Sequence, residues 1–131
     1  MIVLPQALVA AMERLAQAAL PREACGLLIG RSADTSLAVS GLAPSRNLAS
    51  DRDAFEIDTA LRLALQRRLR PLGERIVGVW HSHPSGLARP SPRDAAGAWE
   101  EGLAWLITAG PDTAAWLALR GGFLPARLVC R

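Results

Sequence analysis

Ile76-Val77-Gly78-Val79-Trp80-His81-Ser82-His83, followed by the loop Pro84-Ser85-Gly86-Leu87-Ala88-Arg89-Pro90 and then Ser91-Pro92-Arg93-Asp94, organises the chain. Residues 76–80 are β-branched and aromatic apart from Gly78, and so predict a strand. Residues 84–90 are rich in Pro, Gly and Ser and read as a loop. Ser91 is a good helix N-cap, Pro92 suits the first helical position and Asp94 suits the first turn, so a helix starts there. Side chains two apart on a strand share a face. His81 and His83 therefore stand side by side at the strand end, and the loop is long enough to bring Asp94 back to them.

Outward from this stretch the elements alternate. Leu4, Leu8, Met12, Leu15 and Ala19 recur at helical spacing, predicting an amphipathic helix over residues 5–19 that ends at Pro21. Residues 24–30 form a short apolar run bounded by glycine, a buried strand that residues 37–42 can pair with. Residues 43–56 read as irregular. Ile57, Leu61, Leu65 and Leu69 mark a second helix, ended by Pro71 and Gly73. Residues 103–108 and 114–120 read as strands, and Gly121-Gly122 joins the latter to residues 123–129 in a hairpin. The expected fold is α/β, a mixed central sheet flanked by about three helices, in one domain spanning residues 1–131.

Composition removes several function classes. The chain has 131 residues, half of them hydrophobic, enough for a core and too many for a disordered chain. Its formal charge of +3 rests wholly on arginine, because the sequence has no lysine. Nucleic-acid binding needs a clustered basic patch. Here the densest group is Arg67, Arg68 and Arg70, which reads as a solvated helix face. No stretch reaches the roughly 18–20 apolar residues of a membrane span. The start lacks the positive region of a signal peptide, so a cytoplasmic protein is expected. Arginine in place of lysine, with abundant alanine, points to a GC-rich bacterial genome. Cys25 and Cys130 form no CxxC pair and are expected to be buried, reduced packing residues. Trp80, Trp99, Trp105 and Trp116 lie in apolar stretches and are expected in the core, with Trp99 able to border the site.

The two histidines of the chain, with Asp94, make a three-donor set of two imidazoles and a carboxylate. Zinc suits nitrogen and oxygen donors in that number and keeps its fourth position open. Two neutral imidazoles and one carboxylate leave a zinc centre with one net positive charge, which favours hydroxide and a developing oxyanion. A hydrolase of this kind also needs a base, and Glu23, just before the strand at 24–30, is the best candidate. Ser91 can present its hydroxyl to an oxyanion. Bland readings compete: Ser-x-x-Asp resembles a capping box, a lone Glu23 is most often solvated, and Ser82 faces away from the histidines and reads as packing. A Ser-His hydrolase lacks an orienting acid and has one histidine too many. Arg89 and Arg93 flank the loop and are candidates to hold a substrate carboxylate or an acidic carrier surface. Gly121-Gly122 reads as a turn in preference to a self-cleavage site.

The pattern Glu23, His81-Ser82-His83, seven residues, Ser91, two residues, Asp94 resembles the JAMM motif of the MPN-plus zinc metalloproteases. Residues 23–30, Val79-Trp80 and Pro90 also look typical, and the order of elements matches that fold over nearly the whole chain. The resemblance implies a JAMM/MPN architecture, similar to that of the cytidine deaminases. It implies that His81, His83 and Asp94 bind one zinc ion, that Glu23 is the general acid/base, and that Ser91 helps stabilise the tetrahedral intermediate. It further implies peptidase or isopeptidase activity at the C-terminal Gly-Gly end of a ubiquitin-like protein. Chain-reading relatives carry insertions that 131 residues have little room for. The compact bacterial type, associated with ubiquitin-like sulfur carriers, is therefore the nearer match. His83-Pro84-Ser85-Gly86 also resembles the RadC branch, without its helical region. The extended tail of such a substrate would add a strand to an edge expected in residues 43–50. The alternative is a non-catalytic MPN module that binds a ubiquitin-like partner or scaffolds a complex. A zinc deaminase is disfavoured, because the Pro-Cys-x-x-Cys ligand pair is absent.

Overall fold

The computed structural model describes residues 1–98 and 100–131; Trp99, whose proximity to the site was an open expectation, lies outside the described residues. In chain order the elements are β1 (Ile2–Leu4), α1 (Gln6–Ala19), β2 (Cys25–Ala33), β3 (Ser36–Ser45), α2 (Thr59–Leu69) with a 3-10 turn at Arg70–Leu72, β4 (Arg75–Ser82), α3 (Pro92–Gly97), β5 (Ala104–Ala109), β6 (Asp112–Leu119), β7 (Gly122–Ala126) and β8 (Leu128–Cys130). The strands form one mixed sheet in the order β7-β6-β5-β4-β2-β3-β1-β8. The expected mixed α/β class and the three helices are what the chain adopts.

β4 runs through the centre, antiparallel to β2 and parallel to β5. Every residue of β4 after Arg75 is buried. Val77 is an extra residue opposite the Leu28/Ile29 step of β2, a bulge that resets which side chains face which layer. One layer packs α1, through Met12 and Leu15, on Leu28, Trp80 and Leu106. The other packs α2, through Leu65 and Leu69, on Leu27, Val79 and Trp105. Gly78 is required where β4 meets β5, since a Cβ there would stand 2.1 Å from the carbonyl oxygen of Ala104.

The two edges of the sheet are joined by consecutive strands. β7 pairs with β6 at one edge and β8 pairs with β1 at the other, with only Arg127 between them. The sheet therefore curls until its edges approach, and α1 is held in the hollow. This corrects several sequence expectations. Residues 123–129 are not one strand. Leu4, read as the first residue of the helical pattern, ends a short strand, Ile2–Leu4, that was not expected. Residues 43–45 continue β3 and are not irregular. The hairpin turn is Arg120-Gly121, with Gly122 already paired to Leu119. Cys25 is buried as expected, but Cys130 is exposed, because β8 is an edge strand. Trp80 and Trp105 are core residues; Trp116 is half-buried and donates its indole N–H to the Ala88 carbonyl at 3.1 Å. Arg67, Arg68 and Arg70 are exposed.

Candidate metal centre

His81 lies in the last turn of the pleat on β4, fully buried, and His83 follows just beyond the strand with its N–H on the Thr108 carbonyl. That bond prolongs the β5 pairing and keeps the second imidazole on the same face as the first. Their Nε2 atoms are 3.1 Å apart. Ser82 turns to the opposite layer, where its hydroxyl accepts the Ala24 N–H at 2.8 Å, so its packing role holds. That contact also ties the residue after Glu23 to the histidine segment.

Asp94 arrives on α3. Ser91 caps this helix: its Oγ accepts the Asp94 N–H at 3.1 Å, and Asp94 Oδ2 accepts the Ser91 N–H at 2.9 Å. The expected capping box is present. The same Oδ2 lies 3.0 Å from His81 Nε2 and 3.1 Å from His83 Nε2. Capping and convergence on the histidines are therefore compatible roles of one carboxylate. Ser91 Oγ accepts in the cap, which leaves its O–H proton free to donate.

Glu23 completes the group. One donor atom from each of Glu23, His81, His83 and Asp94 lies within 4.8 Å of all the others. Such a set can hold a metal ion. The protonation pattern supports this. His83 Nδ1 is 2.8 Å from the Leu87 carbonyl, which can only accept, so Nδ1 carries the hydrogen. A neutral His83 then turns the Nε2 lone pair toward His81 and the Asp94 carboxylate. With His81 Nε2 and Asp94 Oδ2 it makes a triangle of three donor atoms that a cation can bridge. Tetrahedral donors at about 2.0–2.1 Å from one ion stand about 3.3 Å apart, close to the spacing seen here. Two buried side-chain atoms among the described residues have no hydrogen-bond partner, Glu23 Oε1 and His81 Nδ1, and both belong to this group.

The electrostatics are uneven. Burial raises the Glu23 carboxyl to about 7; the charge of His83 opposes this and that of Asp94 adds to it. Burial alone would also raise Asp94, but the contacts with His81, His83 and Ser91 outweigh it and hold Asp94 well below the usual carboxylate range. Burial lowers His81 despite Asp94. His83 is also disfavoured by burial, yet Asp94 and the Leu87 carbonyl hold it above the ordinary imidazole value. Cys25, whose backbone pairs with His81 across β2 and β4, is pushed up to about 11 by burial and stays a thiol.

The arginines fall at the margins. Arg93 is exposed and pairs with Asp51 at 2.9 Å; it borders, with Asp94, a cavity of about 270 Å³. Arg89 is exposed beside a shallow hollow formed by Pro90, Ser91, Pro92, Trp116 and Phe123. Neither belongs to the four-residue cluster. Two residues that sequence reasoning did not single out sit against it. Phe55 stacks on the His81 ring with centroids 4.3 Å apart. Asn47 ties the segment carrying Phe55 to the Glu23 carbonyl at 3.0 Å. An aromatic alone in the polar run at 43–56 was the available signal.

A family profile described as prokaryotic homologs of the JAB domain matches residues 5–119. The chain belongs to this prokaryotic JAB family. The desampylase of Haloferax volcanii is 33% identical over 93 residues, which make up 70% of this chain and 65% of that protein. A protein of Desulfitobacterium hafniense superposes with a TM-score of 0.90 at 30% identity, covering 100% of this chain and 93% of that one. One from Salinibacter ruber gives 0.74 at 27%, covering 100% and 92%. A JAB1/MPN-domain protein of Archaeoglobus fulgidus gives 0.59 at 20% identity, covering 98% and 97%, a likeness of fold alone. The compact JAMM/MPN architecture expected from the motif is thus the one this family member has.

Proposed function

We propose that the chain, acting as one catalytic domain over residues 1–131, is a zinc metallopeptidase of the JAMM type. In this reading it hydrolyses an amide bond at the C-terminal Gly-Gly end of a small ubiquitin-like or sulfur-carrier protein. The convergence of Glu23, His81, His83 and Asp94 within 4.8 Å carries this reading. The name of the desampylase relative, an enzyme acting on a small ubiquitin-like modifier, supports the substrate class. His81, His83 and Asp94 would hold the zinc ion. When bound, zinc supplies a Lewis acid that polarises a carbonyl and makes water acidic near neutral pH.

The rest of the chemistry falls to the chain. Glu23 is buried beside the ligands, with its carboxyl raised to about 7 in the metal-free protein, and its Oε1 has no hydrogen-bond partner among the described residues. It can take a proton from water and return it to the leaving amine. Ser91 keeps its hydroxyl proton while capping α3, and can donate it to the developing oxyanion. Arg89 and Arg93 are assigned to substrate carboxylates or an acidic carrier face. The substrate tail would dock as an added strand along residues 43–50. Within that span only residues 43–45 belong to β3, which pairs with β2 on one side and meets β1 only at Leu37 and Ala38; Asn47 and Leu48 already pair with Ile57 and Glu56. Action in the cytoplasm of a bacterium is part of the same reading.

Incubation of the zinc-loaded protein with Gly-Gly-ended carrier adducts, read by mass spectrometry, tests it. Loss of the adduct with wild-type protein, and not with Glu23→Gln that still holds zinc, is expected. Carrier binding without cleavage would instead favour a non-catalytic MPN module, and failure to take up zinc under metal-replete conditions would refute the mechanism.

A further inference from the structure

A histidine that turns one ring nitrogen to a metal ordinarily donates the hydrogen on its other nitrogen to a carbonyl or carboxylate, which fixes the ring. His83 obeys this through the Leu87 carbonyl. His81 does not: its Nδ1 is buried and has no partner among the described residues. The ring is held by other rings. Phe55 lies over it with an interplanar angle of 18°, and Trp105 meets it edge-on with centroids 5.5 Å apart. Trp105 also meets Phe55 and Phe123 edge-on, at 5.6 and 5.0 Å.

Trp105 is fixed by β5, whereas Phe55 is not on the sheet. It rides on the segment between β3 and α2, and Asn47 holds that segment. The Asn47 amide donates to the carbonyls of Glu23 and Ala54, at 3.0 and 2.9 Å, and its oxygen accepts the N–H groups of Ala49 and Glu56, both at 3.0 Å. The side chain thus has both its donor and its acceptor ends engaged with this segment and with the backbone at Glu23.

We propose that Phe55 is a positioning residue for His81, taking by aromatic stacking the place of the missing hydrogen-bond acceptor, and that Asn47 sets Phe55 there. The two imidazoles of the centre are then oriented by different physics, His83 by a carbonyl and His81 by a ring face. The zinc arm of the test rests on the metal-binding reading above, and the second arm does not.

In the metal-free protein, a ring stacked at this distance shields the His81 ring protons, so their NMR resonances lie upfield. Phe55→Leu is expected to move them downfield. In competition with a chromophoric chelator, Phe55→Leu is expected to weaken zinc binding by about 10–100-fold, the usual effect of losing a group that orients a metal ligand. Phe55→Tyr, which keeps the ring face over His81, is expected to restore both readouts. Asn47→Ala is expected to move the same resonances in the same direction as Phe55→Leu. Unchanged His81 resonances in a folded Phe55→Leu variant would overturn the proposal, as would wild-type zinc affinity in that variant or no rescue by tyrosine. If wild-type protein takes up no zinc, the metallopeptidase reading fails, while the metal-free resonances of Asn47→Ala still decide whether Asn47 sets Phe55 over His81.

Discussion

Replacing Glu23 by glutamine should stabilise the metal-free protein at high pH and leave it nearly unchanged at low pH. Glu23 is 6% exposed, and burial raises its carboxyl from 4.5 to about 7. The folded state thus binds a proton that the unfolded state has already released. Below the unfolded value both states are protonated and no penalty exists. As pH rises from 4.5 to 7 the unfolded chain ionises first, and folding must hold a buried acid neutral or bury its charge. Stability is therefore lost across that window and stays lost above it. At 1.36 kcal/mol per pH unit the full loss is about 3 kcal/mol. Glutamine cannot ionise, so the variant escapes this penalty. For a chain of this size the gain corresponds to about 10 °C in Tm at pH 8. Thermal unfolding of chelator-treated wild type and Glu23→Gln, followed by circular dichroism at pH 5, 6, 7 and 8, measures it. A stability difference that is flat with pH would refute the reasoning, because steric effects of the amide do not titrate.

His81→Ala should reduce bound zinc from one per chain to near zero in metal analysis while Glu23→Gln keeps it, since the first removes a donor and the second keeps a polar side chain of the same shape. Zinc affinity should fall as pH drops through the elevated His83 value, because protons compete for its Nε2; titrations with a chelator across pH 5–8 would show it. Ser91→Ala should cost about 1 kcal/mol in urea unfolding through the lost cap, and about 10²–10³-fold in kcat through the lost hydroxyl donor. Gly78→Ala should prevent stable folding or lower Tm strongly, because its Cβ would meet the Ala104 carbonyl oxygen at 2.1 Å and neither strand can retreat from the sheet centre.

Much of the centre was legible because it is local. His81, His83, Ser91 and Asp94 fall within one strand-loop-helix unit, and the two rules that place them, strand alternation and helix capping, act over a few residues. Glu23 stands far upstream and gained weight only as part of a linked pattern. Its place is set by register, with Cys25 opposite His81 and Ala24 bonded to Ser82. Phe55 offered only the signal of an aromatic alone in a polar run, and Asn47 none, since stacking on His81 has no spacing signature and the segment between them lacks periodicity. The same limit hid β1 and β8. Each is three residues long, too short to show alternation, and each forms because the curled sheet offers it a partner. The end of β3 was missed for a similar reason: Pro44 and Ser45 look like loop residues, and only β2 makes them a strand.

The capping box offers a reason why the bland and the chemical readings of Ser91 and Asp94 were hard to separate by sequence and need not be separated by selection. A carboxylate at the third position of a capped helix has its direction fixed by the backbone. Asp94 Oδ2 is pinned by the Ser91 N–H, so its position relative to His81 and His83 does not depend on the metal. A site assembled this way spends little conformational entropy when an ion arrives, because the ligand is already in one rotamer. The four groups are not equally prepared. Asp94 is tied by a backbone N–H and His83 by a carbonyl, whereas His81 relies on ring packing and Glu23 Oε1 has no partner among the described residues. Two of the three donors assigned to the ion are fixed by hydrogen bonds, and the carboxylate assigned to move protons keeps an oxygen outside them. Hydrogen bonds therefore pre-set two of the ligands, while His81 is set by ring packing.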